Sequence, residues 1–321
     1  MFTTSLTKRH RDDRLSKMLH IYKSNWDLNC FGYKRRISSA QLTIFGDRPF
    51  KDTCSYGPAG LWGPHYEHKE NRKWAEISFN RFAKLQKNNK EDIEKEERLV
   101  SNVAYNFKWL KEAEVNCCYP INKDMRVITP VMPQKTLKIT SIQDFVNSRE
   151  GSNFDVLINC AGLQGGKLAG DDDTVYPIRG VLLEVDLPYQ KHFRFNLIKN
   201  NSLVPTYVIP MVNSVLLGGL FQQNRSDLEI TDEDRQDIWR RNVELQPSLQ
   251  NSNEKTLSEW CGLRPGRPTV RLEHCIYDTV KKEKIHVIHN YGHSSNGFTL
   301  AWGCAQDVVK MVAGIFGPSK S

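Results

Sequence analysis

The segment VIHNYGHSSNGFTLAWGCA, from Val287 to Ala305, constrains the fold more than any other part of the chain. It starts with aliphatic residues typical of the end of a buried strand and finishes with an apolar stretch typical of a helix. Between them, Ser294, Ser295 and Gly297 form a run of small residues, which lets the backbone approach a flat ligand closely. The segment therefore predicts a ligand-binding junction between a strand and a helix. The alternative is a tight turn beside a core helix.

Length and composition favour an ordinary globular protein. The 321 residues, 39% of them hydrophobic, are enough to bury a sizeable core and to form two domains. No apolar run approaches the ~20 residues that span a bilayer, and the first residues lack a secretory signal, so we expect an intracellular protein without a membrane partner. The eight cysteines include no C-x-x-C pair, which favours reduced thiols. His286, His289 and His293 lack a nearby carboxylate cluster, so no metal site is predicted.

The net charge of +8 is unevenly distributed along the chain. Residues 1–36 carry nine Lys or Arg and three Asp, a net +6, which leaves +2 for all other residues. A nearly neutral body argues against a domain that binds nucleic acid. A nucleic-acid-binding tail at residues 1–36 is the rival interpretation.

Hydrophobic periodicity predicts strands that alternate with helices at both ends of the chain, and antiparallel strands in the middle. No element is predicted for residues 1–39. This order indicates an α/β dinucleotide-binding domain around an α+β substrate domain with an antiparallel sheet. The predicted strands begin at Ala40 and span 135–145, 154–162, 180–188, 206–210, 214–221, 269–273 and 284–293, and the predicted helical regions span 74–114, 232–249 and 301–316.

At the 287–305 segment the chain resembles the family of D-amino-acid oxidases and D-aspartate oxidases, which are FAD-dependent flavoproteins. The signature of that family is two aliphatics, His-Asn-Tyr-Gly, any residue, two small residues, any residue, Gly, five residues, Gly, any residue and Ala, and every position is filled here. The resemblance implies an α/β fold in which an FAD/NAD(P)-binding Rossmann-like domain, incomplete at its N-terminus, accompanies an α+β antiparallel-sheet substrate domain. It divides the chain into an unmatched basic segment (1–39), a discontinuous FAD-binding domain (40–90, 130–170 and 284–316) and the substrate domain (91–129 and 171–283).

The segment CGLRPGRPTVRLE holds Arg264 in a proline-stiffened frame with few acidic neighbours. A guanidinium held in this way can bind a carboxylate through two parallel hydrogen bonds, each contributing ~1.5–3 kcal/mol. The resemblance assigns Arg264 to the α-carboxylate of the substrate. The alternative role, an arginine that pins a loop, suits Arg267 and Arg271 better.

Two further residues are implied to contact the substrate. The resemblance puts the Tyr207 hydroxyl on the same carboxylate, although a core aromatic at a strand end explains the residue almost equally well. It puts the backbone carbonyl of Ser295 on the substrate ammonium group. Leu203 occupies the position where some amino-acid oxidases have a second tyrosine as a lid, so no lid is predicted. No side chain is assigned as a catalytic acid or base, because the chemistry needs only positioning against the cofactor.

The resemblance also implies contacts to FAD from three parts of the chain. Asp47 ends the strand that begins at Ala40, where an acid can bond a ribose hydroxyl. A core or turn role is an equal alternative for Ile142, which matches an adenine-side strand position, and for Ala161, which follows the Asn-Cys pair in LINCAGL. The full set of implied contacts is Asp47, Arg48, Thr53, Cys54, Ser55, Gly60, Leu61, Ile142, Ala161, Ser294, Ser295, Gly297 and Thr299.

Two stretches depart from the family pattern. A dinucleotide-binding domain needs a strand and a G-x-G-x-x-G turn about 30 residues before the acid, yet counting back from Asp47 reaches RDDRLSKM. The chain contains no G-x-G-x-x-G, and Gly32 is the only glycine before Gly46. That turn normally brings backbone N–H groups and a helix N-terminus to the pyrophosphate. A strand and a long helix of the family are also largely missing between about 109 and 135.

The resemblance implies oxidative deamination of D-amino acids, with FAD as the cofactor and O2 as the electron acceptor. A hydride passes from Cα to flavin N5, and the products are H2O2, a 2-oxo acid and ammonia. Neutral substrates are favoured, because Asn200 and Phe221 replace the arginines of the aspartate-selective branch, although Lys199 or Arg225 can substitute for them. D-aspartate oxidase activity and an inactive, flavin-free binding protein are the alternatives. The family also implies a homodimer in the peroxisome or cytoplasm, and the final SKS resembles a peroxisomal address without its last aliphatic residue.

Overall fold

The computed structural model builds the chain into two β-sheets with helices packed against them. It describes residues 16–22, 40–46, 54, 69–88, 134–136, 139–187, 189–190, 192–199, 202–211, 214–251, 255–281 and 283–316. In chain order, the elements are β1 (Ser16–Tyr22), β2 (Ala40–Gly46), α1 (Lys69–Asn88), β3 (Gln134–Thr136), α2 (Ile142–Asn147), β4 (Val156–Cys160), α3 (Gly165–Ala169), β5 (Tyr176–Val185), β6 (Arg194–Lys199), β7 (Ser202–Pro210), β8 (Val215–Gly218), β9 (Gln222–Gln223), α4 (Asp232–Leu245), β10 (Thr256–Gly266), β11 (Arg271–Asp278), β12 (Lys284–Tyr291) and α5 (Gly297–Phe316).

The first sheet has the strand order β11-β12-β4-β1-β2-β3. Its strands from β12 to β3 run parallel, and β11 pairs antiparallel with β12. β1 lies at the centre, where Leu19 pairs with Thr43 of β2 on one side and with Leu157 of β4 on the other. A parallel sheet of this order is the core of a doubly wound dinucleotide-binding domain, whose ligands lie outside the carboxyl ends of the strands.

Helices cover both faces of the first sheet. On one face, α1 and α5 pack against Ile158 and Ile288. The two helices approach so closely that a Cβ on Gly303 of α5 would lie 2.2 Å from the Cα of Trp74 in α1. On the other face, α2 packs against Leu157. Strands buried on both faces need apolar side chains throughout, which explains why every residue of β4 is buried.

The second sheet has the strand order β10-β5-β8-β7-β6 and is antiparallel throughout. Because side chains alternate between the faces of a strand, Val181, Val208 and Leu217 share one face and pack against Ile238 of α4. The opposite face, called here the Tyr207 face, carries Leu182, Ile209, Met211 and Leu216 together with Phe193, Tyr207 and Trp260.

The α/β fold class with a second, antiparallel sheet is confirmed. The prediction of no element in residues 1–39 is wrong, because β1 is the central strand of the first sheet. The predicted strand 135–145 is wrong for residues 139–145: Ile142 begins α2, and the Ser141 hydroxyl caps this helix by accepting a hydrogen bond from the Asp144 N–H at 3.3 Å. β6 and β10 were not predicted, and the domain boundaries stay a prediction. Within the described ranges, no helix is long and apolar enough to cross a membrane.

Candidate active site

Arg264 lies on β10, the edge strand that pairs with β5. Its guanidinium lies directly over Gly180 of β5, where a Cβ would be 2.2 Å from Nη1 and 2.4 Å from Nη2. Nη1 donates to the Leu220 carbonyl oxygen at 3.2 Å, and no carboxylate in the described part of the chain pairs with the guanidinium. Because a guanidinium has five N–H donors, Arg264 keeps donors for a substrate carboxylate.

Tyr207 lies on β7 and projects from the same face of the sheet. Its ring covers Gly218 of β8, where a Cβ would be 2.1 Å from Cζ. The half-exposed ring of Phe195 on β6 stacks beside it, with centroids 6.5 Å apart. Burial raises the pKa of Tyr207, and the positive charges of Arg264 and Arg241 partly oppose that rise. The hydroxyl is therefore protonated at neutral pH and can donate to a carboxylate.

Glycines form the floor beneath these side chains. Gly180 lies under the Arg264 guanidinium and Gly218 under the Tyr207 ring. Gly262 pairs directly with Gly180 and lies under the Trp260 ring, from which a Cβ would be only 2.3 Å away. We call Gly180, Gly218 and Gly262 the glycine floor. Any side chain there would occupy the space that the arginine, the tyrosine or the tryptophan fills.

The loop at residues 292–296, between β12 and α5, lies next to Arg264. The Ser294 N–H donates to the carbonyl oxygen of Pro265 at 2.9 Å. Gly292 has a φ of 84° and Ser294 a φ of 50°, so both occupy the left-handed region that turns the chain sharply. Ser295 is exposed at the tip of this turn. The structure therefore brings the Arg264 segment and the small-residue loop into direct contact.

An ion-pair network braces the start of this loop. Arg271 binds Asp171 through both terminal nitrogens, at 2.5 and 2.8 Å, and it also donates to the Tyr291 hydroxyl at 2.8 Å. Tyr291 and Arg267 in turn both donate to Asp172, at 2.8 and 2.9 Å. The hydrogen bond from Arg271 lowers the pKa of Asp171. Arg267 and Arg271 thus hold the chain just before β11 and at its first residue, which is the role that the sequence favoured for them.

His289 is a buried structural residue. Its Nδ1 accepts a hydrogen bond from Asn159 Nδ2 at 3.1 Å, and burial followed by the nearby Arg271 charge lowers its pKa to about 4. The Asn159 side chain also accepts a hydrogen bond from the N–H of Ala161 at 3.2 Å. Ala161, a predicted cofactor contact, is therefore held at the end of β4. No group of three or more His, Cys, Asp or Glu side chains within the described ranges is arranged to hold a metal.

The residues at the carboxyl end of β12 fit the flavin end of a cofactor. Asn290 is only 1% exposed, yet neither amide atom has a hydrogen-bond partner among the described residues. Trp302 Nε1, in the first half of α5, is likewise buried without such a partner. Buried polar groups are nearly always hydrogen-bonded in proteins, so these atoms are available to a polar ligand at this edge. Gly297 and Thr299 lie in the first turn of α5 at the same edge, half-buried and buried respectively.

The other predicted cofactor contacts are less informative. Cys54 lies in a turn and is half-buried, while Ile142 is fully buried in the core as the first residue of α2. The sequence after β1 reads KSNWDLNCF and has no glycine until Gly32, so it does not match the glycine-rich turn of a dinucleotide site. The predicted contacts Asp47, Arg48, Thr53, Ser55, Gly60 and Leu61 lie outside the described residues.

Comparison with known proteins identifies the class. Residues 133–311 match the family described as FAD dependent oxidoreductase, which is more than half of the chain, and the chain belongs to this family. It is therefore an oxidoreductase of the D-amino-acid-oxidase type with a flavin cofactor, as the resemblance implied.

Particular relatives agree with this assignment. The chain is 39% identical to D-aspartate oxidase 2 of Caenorhabditis elegans, over 87% of this chain and 91% of that protein. It is 29% identical to D-amino acid oxidase of Dugesia ryukyuensis, over 87% of this chain and 92% of that protein. The solved structure of glycine oxidase from Geobacillus kaustophilus shares the fold, with a TM-score of 0.62 at 14% identity, over 91% of this chain and 94% of that one.

Proposed function

We propose that this chain is an FAD-dependent oxidase of D-amino acids, which binds the substrate carboxylate through Arg264 and Tyr207. One observation carries the proposal. Arg264, which has no carboxylate partner in the described ranges, lies beside the buried Tyr207 hydroxyl and the loop at residues 292–296. A carboxylate held by both groups accepts hydrogen bonds from a charged and a neutral donor. The first of these contributes about 1.5–3 kcal/mol.

The chain's own residues hold and orient the substrate. With the carboxylate on Arg264 and Tyr207, the exposed turn at Ser295 offers a backbone carbonyl that accepts from the amino group. Two anchors on the carboxylate and one on the nitrogen fix the direction of the Cα hydrogen. Phe195 and Trp260 border this region on the Tyr207 face and limit access of water to it.

The flavin end of FAD would be held by Ser294, Ser295, Gly297 and Thr299, with Asn290 supplying the buried polar atoms described above. When bound, FAD supplies the two-electron acceptor for the Cα hydride and passes the electrons to O2. The balanced reaction consumes the D-amino acid, O2 and water and gives a 2-oxo acid, ammonia and H2O2. We also propose a homodimer and a peroxisomal or cytoplasmic location, which gel filtration and cell fractionation test.

Neutral D-amino acids are the first candidates for the substrate. Phe221 is half-buried and directly follows Leu220, whose carbonyl binds Arg264. Arg225 is already bound to Asp227 through two nitrogens, at 2.7 and 3.2 Å, and lies 3.8 Å from Asp234, so two carboxylates of the chain already offset its charge. Asn200 and the side chain of Lys199 lie outside the described residues. D-aspartate is the second candidate, because relatives at 37–39% identity are named D-aspartate oxidases.

A comparison of D-alanine with D-aspartate separates these candidates. If neutral substrates are preferred, kcat/KM is higher for D-alanine, and Phe221→Arg shifts the ratio towards D-aspartate by supplying a charge for the side-chain carboxylate. A wild-type preference for D-aspartate would instead support the second candidate.

The carboxylate role itself is tested with Arg264→Ala. Propionate binding, measured by calorimetry, should weaken about 10- to 100-fold, while flavin binding, measured by fluorescence quenching, should stay within about twofold. Equal losses of both ligands would contradict the assignment of Arg264. An absorbance scan of the purified protein distinguishes the oxidase from an inactive relative, because only a bound flavin absorbs near 450 nm.

A further inference from the structure

Arg241 of α4 is buried beneath the second sheet, on the face opposite to Tyr207. Its side chain is only 3% exposed. Nη1 donates to the Pro205 carbonyl oxygen at 3.1 Å and to the Thr206 hydroxyl at 2.8 Å, and Nη2 donates to the Gly219 carbonyl oxygen at 2.8 Å. One guanidinium thus binds both β7 and the end of β8.

These contacts lie where β7 and β8 separate. The Gly219 N–H donates to the Pro205 carbonyl oxygen at 2.9 Å and so links the two strands at this end. We call Pro205, Thr206, Gly218 and Gly219 the β7–β8 fork. Asn242, the next residue of α4, also binds the fork by donating to the Gly218 carbonyl oxygen at 3.0 Å.

One proposed carboxylate-binding residue leaves the fork, and the other binds the main chain next to it. Tyr207 directly follows Thr206, and its ring lies on Gly218. Arg264 donates to the carbonyl oxygen of Leu220, which directly follows Gly219. The main chain that Arg241 binds from below therefore carries the tyrosine and lies next to the carbonyl that binds the arginine guanidinium.

We propose that Arg241 is a positioning residue for substrate binding, which fixes the distance between the Tyr207 hydroxyl and the Arg264 guanidinium without touching the substrate. This inference rests on the proposed function, in which those two groups bind the carboxylate. A planar guanidinium holds its donors on separate nitrogens in a fixed geometry that reaches both segments, whereas a lysine ammonium has its three donors on a single nitrogen.

The positive charge of Arg241 has a second effect on the same site. Its one carboxylate partner among the described residues is Asp237, which accepts from Nε at 2.9 Å and is partly exposed. Burial raises the pKa of Tyr207, and the charge of Arg241 opposes this rise together with that of Arg264. An apolar residue at position 241 would fill the same volume but would remove both the hydrogen bonds and this charge.

Arg240 provides a matched control on the same helix. It is adjacent in sequence and pairs with the same Asp237, at 2.5 Å, and with Glu244, at 2.8 Å, but its side chain is 56% exposed and does not bind the fork. Exchanging Arg240 for glutamine removes one arginine charge from α4 and leaves the fork intact.

The experiment compares Arg241→Gln, Arg241→Lys, Arg240→Gln and Arg264→Ala as purified proteins. Propionate affinity is measured by calorimetry, and thermal unfolding and bound flavin are recorded for each sample. We expect Arg241→Gln and Arg241→Lys to weaken propionate about 10- to 100-fold in folded protein, because a shift of about 1 Å in a binding group has this effect. Arg240→Gln should bind as the wild type does.

The outcomes separate positioning from stability. If Arg241 only stabilises the fold, Arg241→Gln lowers the melting temperature while its folded fraction binds propionate with wild-type affinity, and the inference is overturned. If that variant does not fold, the test uses Arg241→Lys and Thr206→Val, the second of which removes one acceptor of Arg241. Wild-type propionate affinity in both variants overturns the inference, and weakened affinity in both supports it. If Arg264→Ala binds propionate as the wild type does, the proposed function fails, whatever the Arg241 variants do.

Discussion

Gly180→Ala should weaken carboxylate binding while leaving the fold intact. The new Cβ would be 2.2 Å from Arg264 Nη1, 2.4 Å from Nη2 and 2.5 Å from Cζ. Ordinary contacts between such atoms are about 3.5 Å or longer, so the guanidinium must retreat by roughly 1.3 Å. A hydrogen bond of normal length stretched by that amount is lost.

The expected effect on binding follows from that displacement. Loss of one charge-assisted hydrogen bond costs about 1.5–3 kcal/mol, which corresponds to propionate binding about 10- to 150-fold weaker. The effect on unfolding should be small, because the atoms that move are the end of a flexible side chain. Removal of glycine also restricts the unfolded chain, which stabilises the native state by about 0.4–1 kcal/mol. The free energy of unfolding should therefore change by less than about 1 kcal/mol.

Gly262→Ala is the matched control for this prediction. Gly262 is the direct partner of Gly180 in the sheet, and its Cβ would meet the Trp260 ring rather than Arg264. Calorimetric titration with propionate and urea unfolding are measured on both variants. Wild-type affinity in Gly180→Ala, or an equal loss of affinity in Gly262→Ala, would refute the idea that the glycine floor sets the position of Arg264.

Three further predictions concern the first sheet. Gly303→Ala should destabilise the protein by about 1–3 kcal/mol, because its Cβ would meet the Trp74 backbone at 2.2 Å. Gly314→Ala on the same helix, where nothing lies within 4 Å, should stabilise it by about 0.5–1 kcal/mol. Urea unfolding measures both changes, and equal signs would contradict the packing argument. Burial lowers the pKa of His289 from 6.5 to about 4, so the unfolded state binds more protons than the native state between these pH values. The melting temperature should therefore fall as the pH drops from 7 to 5. His289→Gln should make the melting temperature less dependent on pH over this range. Because the sequence after β1 lacks the glycine-rich turn, FAD should bind no more than about tenfold more tightly than riboflavin in fluorescence titrations. A much larger ratio of the two affinities would show that another segment holds the pyrophosphate.

Sequence patterns predicted the strands that are buried along nearly their whole length. β4 is buried along its whole length and β12 nearly so, and their apolar runs were recognised for that reason. β1 was missed because SKMLHIY mixes charged, polar and apolar residues without a period of two. β10 was missed because Gly262, Pro265 and Gly266 favour a loop, and an edge strand with a neighbour on one side tolerates them.

Candidate site residues were predictable where a motif carries them, and not where the fold brings them together. Arg264 and the 294–299 run lie in recognisable segments. Arg241 lies in a charged run that is typical of a solvated helix, and only the packing of α4 against the second sheet distinguishes it from the exposed Arg240. The helix at Ile142 was predictable, since Ser141 and Asp144 have the spacing of an N-terminal cap.

The absence of side chains beneath Arg264, Tyr207 and Trp260 makes the depth of this region adjustable by protein engineering. Each of the three glycines lies under a different aromatic or cationic group, so a single methyl addition displaces one of these groups at a time. A graded series at positions 180, 218 and 262 would narrow the accessible volume stepwise from three directions. Such a series offers a way to reshape the range of accepted amino acids while the groups that contact them keep their identity.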